Sequence, residues 1–183
     1  MTRIVAGRFR GRRLDVPKGR DVRPTTDRMR ERLFSMLMHG RYPDMTGATV
    51  ADIFAGTGAL GLEALSRGAS SVTFVEQARP SIACINGNIA TLAVNDQATI
   101  LAKNATKLPP APAPCDFIFM DPPYRQGLVR PTLEAILSEG WLAEDGVIIC
   151  EQAADEPLDI PDELEIVDDR SQGQQRILFL LRK

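Results

Sequence analysis

Histidine is nearly missing from this sequence, cysteine is sparse, and aromatic residues make up only 5% of the 183 positions. His39 is the single histidine. A His-based metal centre or a Ser-His-Asp triad therefore has too little to work with, and His39 follows a predicted helix, where it reads as surface. The three cysteines, Cys84, Cys115 and Cys150, are an odd number at wide spacings, two of them inside predicted strands. They read as reduced core thiols, and no metal is expected. No apolar run approaches the roughly 20 residues that span a bilayer. Met1-Thr2-Arg3-Ile4 opens without the apolar region of a signal peptide. These absences predict a cytoplasmic protein with no membrane partner. What remains is a globular composition, 44% hydrophobic and 25% charged, at a length that gives one domain.

Charge is present but unevenly spread. The net charge is −2, yet residues 1–32 carry 11 Lys/Arg against 4 Asp/Glu, a balance of +7, while the other 151 carry 11 against 20, a balance of −9. A basic arm on an acidic body is the electrostatic footprint of a polyanion site at one end of a molecule. Residues 3–16 alternate loosely between apolar and basic, with bends at Gly7 and Gly11, which predicts a short hairpin with basic side chains on one face. Five arginines fall within residues 3–13 and no acid does; Arg8, Arg10, Arg12 and Arg13 read as phosphate contacts. Arg23-Pro24-Thr25-Thr26 starts a helix with Thr25 or Thr26 as N-cap, Met29, Leu33, Met36 and Leu37 on the core face and Gly40 past the end. Arg28, Arg30 and Arg32 are expected on its free face.

From Thr49 onward, predicted strands near 49–54, 71–76, 98–102, 115–121 and 145–151 alternate with helices near 59–67, 79–94 and 129–139. That alternation predicts a doubly wound parallel α/β sheet. Beyond Pro157 and Pro161, two strands near 163–169 and 174–182, joined by Ser171-Gln172-Gly173-Gln174, would add an antiparallel hairpin and bring the sheet to seven strands. The proline-rich stretch 109–114 is a stiff surface connection. The expected organisation is a single domain over 1–183, with the basic hairpin and helix of 1–40 packed on a 41–183 core.

Val50-Ala51-Asp52-Ile53-Phe54-Ala55 leads into Gly56-Thr57-Gly58-Ala59-Leu60-Gly61, a strand, a glycine-rich turn and a helix. Glycines allow the backbone to approach a ligand closely, and the helix N-terminus favours negative charge. Glu76 stands 20 residues after Gly56, at the end of the next strand, where a carboxylate can bind both hydroxyls of a ribose. The pattern predicts a nucleoside cofactor without separating NAD from S-adenosylmethionine. Asp52 at the loop mouth would repel a pyrophosphate but can bind the ammonium of a methionine moiety; its alternative role is to hold the loop backbone.

The apolar run Phe117-Ile118-Phe119-Met120 stops on Asp121-Pro122-Pro123-Tyr124. Proline lacks the N–H that a sheet ladder needs, so the strand ends there and its chemistry lies at the edge where open α/β sheets bind ligands. Asp121 and the Pro122 carbonyl can accept the two hydrogens of an amine, Pro123 stiffens the turn, and the Tyr124 ring can stack on a planar base. An amino-methyltransferase needs such a clamp; a nicotinamide enzyme does not.

The strand order together with Asp121-Pro122-Pro123-Tyr124 resembles the Rossmann-like class I S-adenosylmethionine-dependent amino-methyltransferases. Arg3-Ile4-Val5-Ala6-Gly7, Gly11-Arg12-Arg13-Leu14, Arg23-Pro24-Thr25-Thr26-Asp27-Arg28 with Arg30-Glu31, and Asp52-Ile53-Phe54-Ala55-Gly56-Thr57-Gly58 resemble specifically the RsmD family, bacterial 16S rRNA guanine-N2 methyltransferases, over essentially the whole chain. The resemblance implies methylation of guanine 966 in 16S rRNA, free or in a 30S assembly particle, by a monomer. It implies a cofactor site of Asp52, Phe54, Ala55, Gly56, Thr57, Gly58, Gly61, Glu76, Gln77, Asn104 and Ala105. Asn104-Ala105 departs from the acid-Ala usual for gripping the adenine amine, and the Asn104 carbonyl oxygen can still accept that hydrogen bond. Asp121, Pro122, Pro123 and Tyr124 would form the catalytic clamp, and Arg8, Arg10, Arg12, Arg13, Arg23, Thr25 and Arg28 the RNA contacts. An adenine-N6 DNA methyltransferase would share the clamp, but nothing resembles a DNA target-recognition domain. A non-catalytic RNA-binding assembly factor on a relic fold would not need Asp52, Glu76 and Asp121 intact.

Overall fold

A computed structural model describes residues 2–17 and 27–183; Arg23, Thr25 and Thr26, expected to contact RNA or cap the first helix, lie outside those residues. The described chain opens with two short paired strands, β1 (Thr2–Arg3) and β2 (Arg13–Leu14), then helix α1 (Asp27–His39). The alternating unit follows: β3 (Thr49–Ile53), α2 (Ala59–Ser66), β4 (Ser71–Val75), α3 (Arg79–Leu92), β5 (Ala98–Leu101), β6 (Cys115–Met120), α4 (Val129–Ser138) and β7 (Leu142–Ala153). It closes with the hairpin of β8 (Leu164–Gln172) and β9 (Gln175–Arg182). The seven-stranded sheet has the order β5-β4-β3-β6-β7-β9-β8. Strands β3 to β7 run parallel, and β9 pairs antiparallel with both β7 and β8. The doubly wound reading and the antiparallel ending are both present. One detail differs: β8 runs on to Gln172, which pairs with Gln175, so the expected four-residue turn shrinks to Gly173-Gln174, with Gly173 at φ 61°. A two-residue hairpin loop with positive φ matches the twist of its strands.

Strand β6 shows how the sheet is covered on both faces. Phe117 and Phe119 join Leu33 and Phe34 of α1, Leu62 of α2 and Ile85 of α3, whereas Ile118 and Met120 join Leu133 and Ile136 of α4 and the fully buried Trp141. Such two-sided burial explains the unbroken apolar run that marks this strand in the sequence. The chain moves outward from β3 to β4 and β5, then returns to β6 on the other side of β3. The point where strand order reverses opens a crevice at the strands' C-terminal ends, and it lies between β3 and β6.

Helix α1 corrects one expectation. Arg30 is buried, with 1% exposure, and is not on a free face. The buried set of α1 is Arg30, Leu33, Phe34 and Leu37, an i, i+3, i+4, i+7 stripe that brings Arg30 onto the core side and leaves Met29 and Met36 half-buried. The Arg30 guanidinium donates to the Arg3 carbonyl at 2.6 Å and pairs with Asp27 at 2.7 Å. Burial pulls its pKa down, and Asp27 and Glu63 oppose that shift. Arg28 and Arg32 are exposed.

The basic arm is clipped to α2. Glu63, fully buried, accepts from the Val5 and Ala6 N–H groups at 2.8 and 3.0 Å and from Arg67 Nε at 2.8 Å. Ser66 accepts from Phe9 N through its hydroxyl, which itself donates to the Ala6 carbonyl, and from Arg8 N through its backbone carbonyl. Gly7 (φ +80°) passes so close to α2 that a Cβ there would lie 1.9 Å from the Ser66 carbonyl oxygen, so only glycine fits. Ile4 and Leu14 sink into the core beneath this clip. Among the described residues no helix is long and apolar enough to cross a membrane.

Candidate active site

Strand β3 delivers the glycine-rich turn to the crevice. Phe54, Gly56 and Gly58 all have positive φ, 63°, 59° and 75°, and Gly58 caps α2. Gly61 serves packing instead, since a Cβ there would lie 2.4 Å from the Phe74 ring and its bareness lets α2 sit on the sheet. Asp52, 2% exposed, lies under the turn and accepts from Gly61 N at 2.9 Å. Of the two roles open to it in the sequence, this is the backbone-holding one. Burial raises its pKa to about 7, against the Gly61 hydrogen bond and with help from the charge of Glu76. Asn88 of α3 fixes the turn from the other side, donating to the Thr57 carbonyl at 3.1 Å while also bonding the backbone of Asp15.

Glu76, just past β4, accepts from Gly56 N at 2.9 Å through Oε2 and from Gln77 N and Ala78 N at 2.8 Å through Oε1. It therefore braces the turn, and Oε2 keeps a lone pair for a further donor. Thr57 and Ala55 are buried, Phe54 is half-buried and Gln77 exposed. Asn104 caps the 3-10 turn Ala105–Lys107, its carbonyl oxygen accepting from Thr106 N and Oγ1, both at 2.9 Å. That oxygen, expected to face a ligand amine, is turned onto its own backbone; Ala105 is buried beside it.

Strand β6 delivers Asp121 to the opposite lip. Ile53 and Met120 are register partners, so Phe54 and Asp121 leave neighbouring strands together, and Asp121 N reaches the Ile53 carbonyl at 3.4 Å. The half-buried Asp121 carboxylate accepts no hydrogen bond among the described residues, although it lines a small, mostly apolar pocket with Leu60, Phe119, Met120 and Glu151. Burial, then the charges of Glu151 and Asp52, push its pKa well above the usual carboxylate range. Pro122 is buried and Pro123 exposed. The half-buried Tyr124 is tethered by its hydroxyl, which donates to Glu151. Burial and that bond raise the phenol pKa.

None of Arg8, Arg10, Arg12 or Arg13 lines this pocket. Arg8 bonds Gln97 and lies 4.5 Å over the Phe9 ring, while Arg10, Arg12 and Arg13 are exposed, as is Arg28. Four contributors are not evident from the sequence: Glu63, Asn88, Glu151 and Gln175. Glu151 could have been found by the rule that singles out Glu76 and Asp121, an acid at the C-terminal end of a parallel strand. The others act through folding contacts that no local motif marks. No cluster of metal-ligating side chains occurs among the described residues, and the three cysteines are free and buried, with burial pushing Cys115 up to about 12.

Known proteins share this sequence pattern and fold. The chain matches the family described as Conserved hypothetical protein 95 over residues 2–181. It is 39% identical to Ribosomal RNA small subunit methyltransferase D of Escherichia coli (strain K12) over 156 residues, 85% of this chain and 77% of that protein. It is 34% identical to the protein of the same name from Haemophilus influenzae over 175 residues, 93% of this chain and 89% of the other. The solved structure of the Escherichia coli protein yhhF superposes with a TM-score of 0.84 at 35% identity, covering 100% of this chain and 98% of that one. A family match over nearly the whole chain, relatives that share its sequence and a shared fold agree: the chain belongs to the RsmD family and is a methyltransferase.

Proposed function

We propose that this protein transfers a methyl group from S-adenosyl-L-methionine to the exocyclic N2 amine of a guanine in 16S rRNA, guanine 966 by family resemblance, during maturation of the small ribosomal subunit. The observation that carries the reading is the Asp121 carboxylate, half-buried, facing a pocket and accepting no hydrogen bond among the described residues. A half-buried carboxylate with no protein donor is open to a ligand donor that would complete it. The names of the relatives support an rRNA substrate.

The residues present fit this cofactor. Asp52 and Glu151 both raise the pKa of Asp121, so the crevice favours a bound cation and disfavours a pyrophosphate. Bound there, S-adenosylmethionine supplies a positively charged sulfonium and its transferable methyl. The turn Phe54 to Gly58 and the open lone pair of Glu76 Oε2 would hold its nucleoside, with Gln77 and Ala105 beside them. Asp121 and the Pro122 carbonyl would accept both amine hydrogens, draw the nitrogen toward tetrahedral geometry and aim its lone pair in line with the methyl. Tyr124 would stack on the base. Formation of the N–C bond would break the S–C bond and release the neutral thioether S-adenosylhomocysteine, and the surplus amine proton would pass to Asp121 or to water.

Incubation with labelled cofactor tests this, offering naked 16S rRNA, 30S particles and duplex DNA in parallel. N2-methylguanine in the rRNA digest is the expected product. Label in DNA adenine would favour the adenine-N6 alternative, and cofactor binding without transfer would favour an assembly factor. Glu76→Ala should weaken cofactor binding by about 1–3 kcal/mol in calorimetry, through loss of a charge-assisted ribose contact and of the Gly56 brace. An unchanged dissociation constant would show that Glu76 takes no part in holding the cofactor.

The arm supplies a further expectation. With Arg8, Arg10, Arg12 and Arg13 all replaced by Gln, cofactor binding should hold while RNA binding weakens with little change in base preference, because phosphate contacts position and do not read. The slope of log affinity against log salt should flatten by about 0.7 to 0.9 per contact removed. An unaltered slope in a cofactor-binding mutant would move the RNA site to Arg28 and Arg32, since Arg30 is buried.

A further inference from the structure

Glu151 stands at the end of β7, one strand across from Asp121. Phe119 pairs with Ile149 and Met120 with Cys150, so the next residues, Asp121 and Glu151, share the face on which Phe119 and Ile149 pack, and both line the same pocket. On its other side Glu151 pairs with Ile177 of β9, which brings Gln175 within reach two residues along. Glu151 Oε1 accepts from both the Tyr124 hydroxyl and Gln175 Nε2, the latter at 2.8 Å. The second carboxylate oxygen makes no hydrogen bond among the described residues.

Glu151 faces a second carboxylate across the pocket, and its acceptor oxygen reaches the site through one contact, the Tyr124 hydroxyl. We propose that Glu151 is a positioning residue for methyl transfer: held by Gln175, it tethers the Tyr124 hydroxyl and so fixes the plane in which the aromatic ring meets the target base. The inference rests on the reading of Tyr124 as the stacking face. The turn after Pro123 carries Tyr124 away from the sheet ladder, and the described hydrogen bond of its side chain is the one to Glu151. Without that tether the hydroxyl keeps only its weaker interaction with the neutral Gln175 side chain, and the base would be stacked in a spread of orientations.

A double-mutant cycle with Glu151→Ala and Tyr124→Phe tests the proposal, with kcat, KM for RNA and the cofactor dissociation constant measured for each variant. Tyr124→Phe keeps the ring and removes only the tethered hydroxyl. Each single change should lower kcat about tenfold with cofactor affinity unchanged, the double should be no worse than either, and Glu151→Gln, which retains an acceptor, should recover most of the rate. Additive losses, or no loss in Tyr124→Phe, would overturn it. Asp121→Asn serves as the reference: if that variant keeps full activity, the reading of the whole site fails, whereas a dead Asp121→Asn beside a fully active Tyr124→Phe removes this inference alone.

Discussion

Replacing Asp121 by Asn should lower methyl transfer by about 10²–10³-fold, the size of losing one preorganised hydrogen-bonding group, while leaving cofactor affinity within a few-fold. The same change should make the protein more stable at pH 8. The two effects have one origin. In the folded chain burial, Glu151 and Asp52 raise the Asp121 pKa, so the native state holds this proton more tightly than the unfolded state does. Ionised Asp121 therefore costs stability, with no cost below the unfolded-state value near 4 and a growing one as pH rises toward the folded value. Asn removes the cost, and the gain in Tm over the parent should shrink toward pH 4. Activity and denaturation curves against pH check both halves; an inactive variant that is also destabilised at pH 8 would mean that Asp121 holds the fold together instead.

The second large effect concerns Glu63. Its carboxylate satisfies two backbone N–H groups of the arm and the Arg67 guanidinium, which is 8% exposed and lies 4.8 Å over the Phe34 ring. Glu63→Ala leaves three half-buried donors without this acceptor and breaks an ion pair whose carboxylate is fully buried, a change that costs about 3–5 kcal/mol. Urea denaturation should show that loss, and Glu63→Gln should recover only part of it, because an amide supplies one acceptor oxygen and directs its own N–H groups at donors. A loss under about 1 kcal/mol would show that the arm's apolar anchors, Ile4 and Leu14, hold it without the clip.

The parts of the molecule legible in the sequence are those written locally. Apolar runs locate β3, β4, β6 and β9, with Gly56 closing the first and Pro122 the third, and the spacing of Gly56, Glu76 and Asp121 locates the two lips of the crevice. Contacts between distant segments are illegible. An arginine on a helix reads as exposed, yet the partners of Arg30 are Asp27 and the Arg3 carbonyl, which no helical period includes. Glu63 and Ser66 look like ordinary residues of an apolar helix, and only the docked arm gives them a role. Asn104 shows a different limit, since a residue type matched to a ligand in sequence is also matched to its own backbone turn.

The outermost strand of the sheet has a consequence for how copies of this chain behave in concentrated solution. Strand β8 pairs only with β9 among the described residues, which leaves its other edge a row of unmet peptide groups, and it exposes Ile166 and Val167 at 38% and 43%. Such an edge invites another chain to add a strand. Two features guard it: the ladder slips between Ile166 and Asp168, and the acids Glu165, Asp168 and Asp169 surround the apolar pair with charge. An added strand would therefore have to desolvate these charges, two of them paired with Arg170 and Arg176, and match an irregular ladder; acidifying the solution until the carboxylates are neutral weakens the first of these guards while leaving the second in place.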